Sequence, residues 1–200
     1  AFGFKKTGSF RTRFLFECLR DLDASLRAFG SGLVVLQGDP ETELAKAADY
    51  YHAQKVFAKK EVAYEEKQTE ERVEKALWKH YCTLETFSTS TLYHAEDLPF
   101  SIKDIPDIFT SFRKKVEHDS SVRSVFEKPK AIKSPPIPLL TLPSFNELGL
   151  SESPVDPRAV IIFKGGETEG IRRVQEYFFT TKSISTYKET RNALLGKNNS

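Results

Sequence analysis

The sequence has no methionine, a single tryptophan (Trp78) and only two cysteines in 200 residues. No apolar run approaches the roughly 20 residues that a membrane-spanning helix requires, and nothing near Ala1 has the charged-then-apolar layout of a signal peptide. Cys18 and Cys82 show no CxxC spacing, which argues against a disulfide framework and for reduced thiols in a reducing compartment. His52, His80, His94 and His118 lack metal-ligand spacing, and no serine sits in a GxSxG elbow. Metalloenzyme and hydrolase readings therefore have no support. Charge of one sign is also lacking: 30 basic against 28 acidic residues leave a net +2, too little for a long-range field that would by itself argue for nucleic acid or membrane. No repeat of solenoid length is evident. The absence of methionine, the start at Ala1 and the polar end at Ser200 lead to the expectation that the sequence is a piece of a longer protein.

What is present is ordinary for a globular domain, with 39% hydrophobic and 29% charged residues, enough for one core plus a connector. From Ser9 to Phe29, Phe10, Phe14, Cys18, Leu22 and Leu26 recur every four residues, with Leu15 and Leu19 widening the stripe of an amphipathic helix that Gly30 and Gly32 end. Leu33 to Leu36 reads as a short strand. Asp39 can then cap, and Pro40 can open, a helix reaching about Tyr51. Val56 to Ala58 reads as a second strand, Glu65 to Lys79 as a charged helix and Leu84 to Phe87 as a third strand. Strands alternating with helices of this length predict a Rossmann-like, doubly wound parallel sheet in the α/β class, covered on both faces. Because such sheets usually hold about five or six strands, the first strands are expected upstream of Ala1.

Beyond Pro99 the pattern changes. Ile105 to Val116 reads as a helix, and Pro129, Pro135, Pro136, Pro138 and Pro143 mark an extended connector. Helices are predicted at Glu167 to Phe179 and Ser185 to Leu195. The expected organisation is an α/β domain over residues 1–118, a proline-rich connector over 119–162 and short helices over 163–200.

Several constellations invite a chemical reading and support a bland one better. Gly165 and Gly166 lie between an apolar run and a helix, where a phosphate cradle belongs, but the segment matches neither GxGxxG nor GxxxxGK[ST]. Glu167 and Glu169 suit a charge-capped helix and would repel phosphate. The carboxylates from Glu65 to Glu74 share a helix with Lys67, Arg72 and Lys75, the makeup of a solvated, ion-paired surface. Trp78 reads as core or rim rather than as an electron carrier. Lys128, Lys130 and Lys133 make a weak footprint for a nucleic-acid backbone and read as solvated linker.

Five stretches taken in order resemble the photolyase/cryptochrome family, DASH cryptochromes in particular: GFKKTGSFRTRFLFECLRDLDASLRAFGSGLVVLQGDPE from Gly3, STLYHAEDLPF from Ser90, DIPDIFTSFRKKVE from Asp104, FKGGETEGIRRVQEYF from Phe163 and YKETRNALLG from Tyr187. The resemblance covers nearly the whole chain. It implies the α/β antenna domain of a blue-light flavoprotein, joined by a connector to a helical FAD domain that would form the remainder of the chain. It further implies an antenna, usually 5,10-methenyltetrahydrofolate, that passes light to FAD. The whole protein would then repair cyclobutane dimers by electron transfer, chiefly in single-stranded or damaged DNA, or act as a photoreceptor. This piece alone would not be catalytic. Chloroplast or mitochondrion is implied for a plant protein of this type.

Carried over by position, Glu61 resembles the carboxylate placed against the pterin ring, and a carboxylate can accept two hydrogen bonds from such an edge. The alternative for Glu61 is an exposed turn residue. Tyr187 resembles a tyrosine at the FAD diphosphate, Arg191 an arginine on the DNA backbone, and Ser200 the start of a serine/threonine run continuing the FAD site. As they stand, Tyr187 and Arg191 equally suit the rim of an amphipathic helix. A reading from another class is an α/β domain kept without photochemistry as a ligand or protein-interaction module.

Overall fold

The structure is a computed structural model that describes residues 7–159 and 161–192. By proximity the chain divides into two units, residues 36–128 and residues 1–35 with 129–200.

Residues 36–128 hold the parallel sheet. Helix α2 (Pro40–Tyr50) follows Asp39, whose backbone carbonyl accepts the amides of Thr42 and Glu43, both at 3.0 Å. The expected side-chain cap is not formed, since the Asp39 carboxylate makes no capping hydrogen bond, whereas Pro40 does stand at the first helical position. Strand β1 (Lys55–Lys59), helix α3 (Tyr64–Trp78) and strand β2 (Thr83–Phe87) complete a βαβ unit. The strands pair in parallel, with Val56 opposite Leu84 and Phe57 opposite Glu85. Period-2 alternation sends Val56 and Leu84 to a core formed by Ala48, Val73, Leu77 and Cys82. Leu77 is 0% exposed. Phe57, which alternation points to the opposite face, is 63% exposed.

Two expectations shift here. Leu33–Leu36 forms no strand among the described residues: it has no ladder partner, and the Leu33 amide donates instead to the Asp23 carboxylate at 2.8 Å. The helix expected from Ile105 begins later, as α4 (Phe109–Asp119), because Pro106 disfavours a helical residue before it and removes a donor. Only its Val116 is buried.

In the other unit, α1 (Ser9–Ala28) ends in a Schellman closure: Gly30 has φ +82°, and the Ser31 and Gly30 amides reach the carbonyls of Leu26 and Arg27. The residues it buries are Thr12 and Phe16, whereas Phe10, Phe14, Leu15 and Leu22 of the periodic stripe stay exposed. Phe16 meets Phe145 of the proline-rich segment edge-on at 5.6 Å. That segment has no helix or strand between 129 and 159 among the described residues, yet it packs against α1 and the turn that follows it. Arg27 donates to the carbonyls of Ile137 and Pro138, the Ile132 amide to Phe29, and Ser31 pairs with Ser134. Ser144 and Glu147 close a reciprocal S-x-x-E turn that presents Phe145.

The C-terminal arm starts with α5 (Glu167–Val174), runs on into a π-helical stretch (Gln175–Thr180), and passes through a 3₁₀ turn (Ser183–Thr186) to α6 (Tyr187–Thr190). The helix expected over Ser185 to Leu195 is thus 3₁₀ at its start and α-helical from Tyr187, and residues from 193 onward lie outside the described ones.

Candidate functional sites

In open α/β sheets, ligands bind beyond the carboxyl ends of the strands. Here those ends border a groove of ≈ 600 Å³ lined by Phe57, Phe87, His94, Arg123 and Phe126 among others. The rings of Phe57 and Phe87 lie 6.0 Å apart. Arg123 is committed to Asp97 of the DLPF stretch, with Nε at 2.5 Å and Nη2 at 2.8 Å from its two carboxylate oxygens. Ser120 Oγ donates to the Asp97 carbonyl at 2.8 Å. Hydrogen bonding from Arg123 holds the Asp97 carboxyl below the ordinary aspartate range. His94 accepts the Glu96 amide at 3.3 Å and caps a 3₁₀ turn. The DLPF stretch is therefore a clip that fastens residues 120–123 at the groove, a role that the sequence pattern alone did not disclose.

Glu61 sits two residues past β1, in the loop leading to α3. Its carboxylate pairs with Lys59 Nζ at 3.1 Å and is 42% exposed, while its amide donates weakly to Glu70 at 3.5 Å. It is not among the groove-lining residues. The strand-end position and a half-exposed carboxylate with one oxygen unengaged by Lys59 fit an acceptor for an aminopyrimidinone edge.

Tyr187 opens α6 and is 40% exposed. Arg191 is the C-cap of the same helix, and its amide donates to the Tyr187 carbonyl at 2.9 Å. One helical turn separates the two, so both side chains leave the same side of the backbone. A solvent-accessible phenol and guanidinium at that spacing fit two phosphate oxygens. Ser200 lies outside the described residues.

The glycine pair proves to be a point of close backbone approach. Gly165 donates to Glu17 Oε2 at 2.6 Å, Gly166 to Cys18 Sγ at 3.1 Å and Thr168 to Asp21 Oδ2 at 3.1 Å. The amides that would have cradled a phosphate are already taken by α1. Hydrogen bonds from the Thr168 side chain and amide hold the Asp21 carboxyl below the ordinary aspartate range. Sequence reasoning missed Glu17, Cys18 and Asp21 as partners because they lie 147 or 148 residues from the amides they accept. The signal that could have raised them is the paired glycine itself.

Both cysteines are free thiols, Cys82 within the core. Trp78 is 75% exposed, on the rim. Among the described residues no cluster of histidine, cysteine and carboxylate could hold a metal ion, and no helix is long and apolar enough to cross a membrane.

Comparison with known proteins adds a family to this geometry. The family model described as DNA photolyase matches residues 1–136. The chain is 42% identical over 199 residues to "Cryptochrome DASH" of Danio rerio, covering 98% of this chain and 38% of that protein. It is 38% identical over 216 residues to "Cryptochrome DASH, chloroplastic/mitochondrial" of Oryza sativa subsp. japonica, covering 98% and 37%. Among solved structures, the cryptochrome of a Synechocystis species superimposes with a TM-score of 0.89 at 39% identity, over 99% of this chain and 41% of that one. The chain thus spans about two fifths of the length of these relatives.

Proposed function

The chain belongs to the DNA photolyase family and is similar throughout to DASH cryptochromes, and from that premise we propose that it is the light-harvesting and cofactor-positioning part of a blue-light flavoprotein. The observation that carries this reading is that the similarity runs on past the α/β sheet into the arm bearing Tyr187 and Arg191 one turn apart. In this reading residues 1–118 serve as the antenna domain, 119–162 as the connector and 163–200 as the entry to the flavin-binding helices.

Glu61 receives the pterin edge of a methenyltetrahydrofolate antenna. The phenol of Tyr187 donates to a phosphate oxygen of the FAD diphosphate, with Ser200 continuing that site. The Arg191 fork engages the backbone of single-stranded or damaged DNA. FAD, when bound, supplies the light-driven electron chemistry. The residues of this chain contribute position and charge, so catalysis belongs to the flavin-bearing part of the protein, which either repairs cyclobutane dimers or signals. A plant source would place it in chloroplast or mitochondrion, as the name of the rice relative does for that protein.

The test is an absorption spectrum of the native protein carrying this chain, recorded after gel filtration with FAD and methenyltetrahydrofolate supplied. Retained flavin, together with a near-ultraviolet folate band that Glu61→Ala removes, is the expected result. Retention of neither chromophore would replace the reading with that of a non-photochemical binding module.

A further inference from the structure

A helix leaves its first amides without partners inside the helix. At the start of α5 one of them, the Thr168 amide, is taken by a distant segment, which also takes the amides of the two glycines that lead into the helix. Glu17, Cys18 and Asp21 stand at i, i+1 and i+4 on α1 and take the amides of Gly165, Gly166 and Thr168. Of the acids in the first turn, Glu169 is engaged by Arg172 at 3.0 Å.

Both glycines are required by the approach. A Cβ on Gly165 would collide with the Phe14 carbonyl and come within 2.9 Å of the Glu17 Cβ. A Cβ on Gly166, where φ is +110°, would come within 2.8 Å of the Asp21 Cβ.

From this anchor to Tyr187 every turn of the arm is tied. Arg172 pairs with Glu169 and with Glu176 at 3.2 Å, and the Thr180 and Thr181 hydroxyls donate to the carbonyls of Gln175 and Glu176. The chain bends at Lys182, whose φ of +52° is left-handed. Ser183 is buried, meets Thr181 at 2.7 Å and accepts from Thr186 through its carbonyl. Thr190 then donates to the Thr186 carbonyl at 2.9 Å. A run of local contacts thus joins α5 to α6.

We propose that Glu17, Cys18 and Asp21 form a clamp that sets the orientation of the arm, making them positioning residues for Tyr187 and Arg191. The assignment rests on the reading of Tyr187 as a flavin-diphosphate contact, whereas the clamp itself is measurable without it. The experiment compares the native flavin-bearing protein with its Glu17→Ala/Asp21→Ala and Glu17→Gln/Asp21→Asn variants. Two quantities are read in each: hydrogen exchange at Gly165, Gly166 and Thr168, and the flavin dissociation constant with the vibronic structure of its absorption band. In the alanine pair exchange should rise roughly tenfold, and flavin should bind roughly three- to tenfold more weakly with a blurred band. The amide pair, which keeps acceptor oxygens, should recover most of both. A Tyr187→Phe variant in the same series should weaken flavin by itself.

Unchanged exchange in the alanine pair would overturn the clamp. Faster exchange with unaltered affinity and spectrum would overturn its positioning role while leaving the flavin reading intact. Flavin binding indifferent to Tyr187→Phe, or no flavin bound by the unmutated protein, would overturn the Tyr187 reading and the positioning role with it.

Discussion

Residues 36–128 and the unit formed by 1–35 with 129–200 are held together in different ways. The first is a βαβ unit whose core residues Ala48, Val73, Leu77 and Cys82 lie on neighbouring elements and meet because helical and strand periodicities place them on facing sides. The second has little apolar interior. Apart from Phe16 on α1 and Tyr177, it is assembled from side chains that reach across more than a hundred residues to main-chain groups: Arg27 to Ile137 and Pro138, Glu17 to Gly165, Asp21 to Thr168. The lesson is that burial sets the first unit and individual polar contacts set the second, so the two should fail differently.

The largest effect should come from the first unit. Leu77→Ala removes the most buried side chain of its core and should cost about 2–5 kcal/mol, because the rigid elements around it collapse only partly into the cavity. Denaturant unfolding followed by a probe in residues 36–128 checks this. A loss under about 1 kcal/mol would mean that the core is more pliable than the contrast requires.

Next is Gly165→Ala, which has no apolar surface to lose. It sets a Cβ against the Phe14 carbonyl and should cost on the order of 1–3 kcal/mol by forcing the α1–α5 approach apart. The contrast predicts where the damage appears: amides from Gly166 to Gly170 should lose exchange protection, while those of β1 and β2 keep theirs. Equal loss in both units would erase the distinction.

The same contrast explains what could be seen in the sequence. The βαβ unit was legible almost to the residue, since α3 and both strands follow from alternation and helical spacing over short windows, and the resemblance to the photolyase/cryptochrome family reached the right family. Leu33–Leu36 misled because a strand is a property of a pair and no described segment pairs with it. The proline-rich stretch was legible as irregular, but not as packed on α1, because proline content reports backbone conformation and is silent about which carbonyls Arg27 will find. At the candidate sites, Glu61 and the pair Tyr187 and Arg191 were singled out by the family resemblance, and the helix expected over Ser185 to Leu195 is α-helical only over Tyr187–Thr190 among the described residues. The Arg123–Asp97 clip and the α1 clamp left no periodic trace, since their partners lie 26 and 147 or 148 residues apart, and the paired glycine was the one hint of the second.

Acid should separate the polar contacts from the apolar core. Hydrogen bonds from Thr168 hold Asp21, and those from the Ser144 amide and hydroxyl hold Glu147, below their ordinary values. A carboxyl with a lowered folded pKa stabilises the fold above its unfolded pKa, and that contribution is lost as pH falls through the folded value. The window therefore opens near pH 4, the ordinary carboxylate range, and extends below it. Exchange protection at Thr168 and at the Ser144 amide should fall as pH drops below about 4, ahead of protection at Val56 and Leu77, whose contacts carry no group that titrates in acid. Simultaneous loss would show that the polar contacts contribute little on their own.

The smallest expected effect sharpens the comparison from inside the polar unit. Tyr177 is 8% exposed, and its hydroxyl is buried without a hydrogen-bond partner among the described residues, while Arg173 lies 5.8 Å from the ring centroid. A buried hydroxyl left unpaired forfeits its hydration and gains nothing in exchange, so the ring alone accounts for what this residue contributes. Tyr177→Phe should accordingly leave stability unchanged or raise it by up to about 1 kcal/mol, and thermal unfolding of the two proteins measures the difference. A loss of about 1 kcal/mol or more would reveal a bound water or a partner group at that oxygen, and would show that even the apolar contact of this unit is held in place by polar bonds.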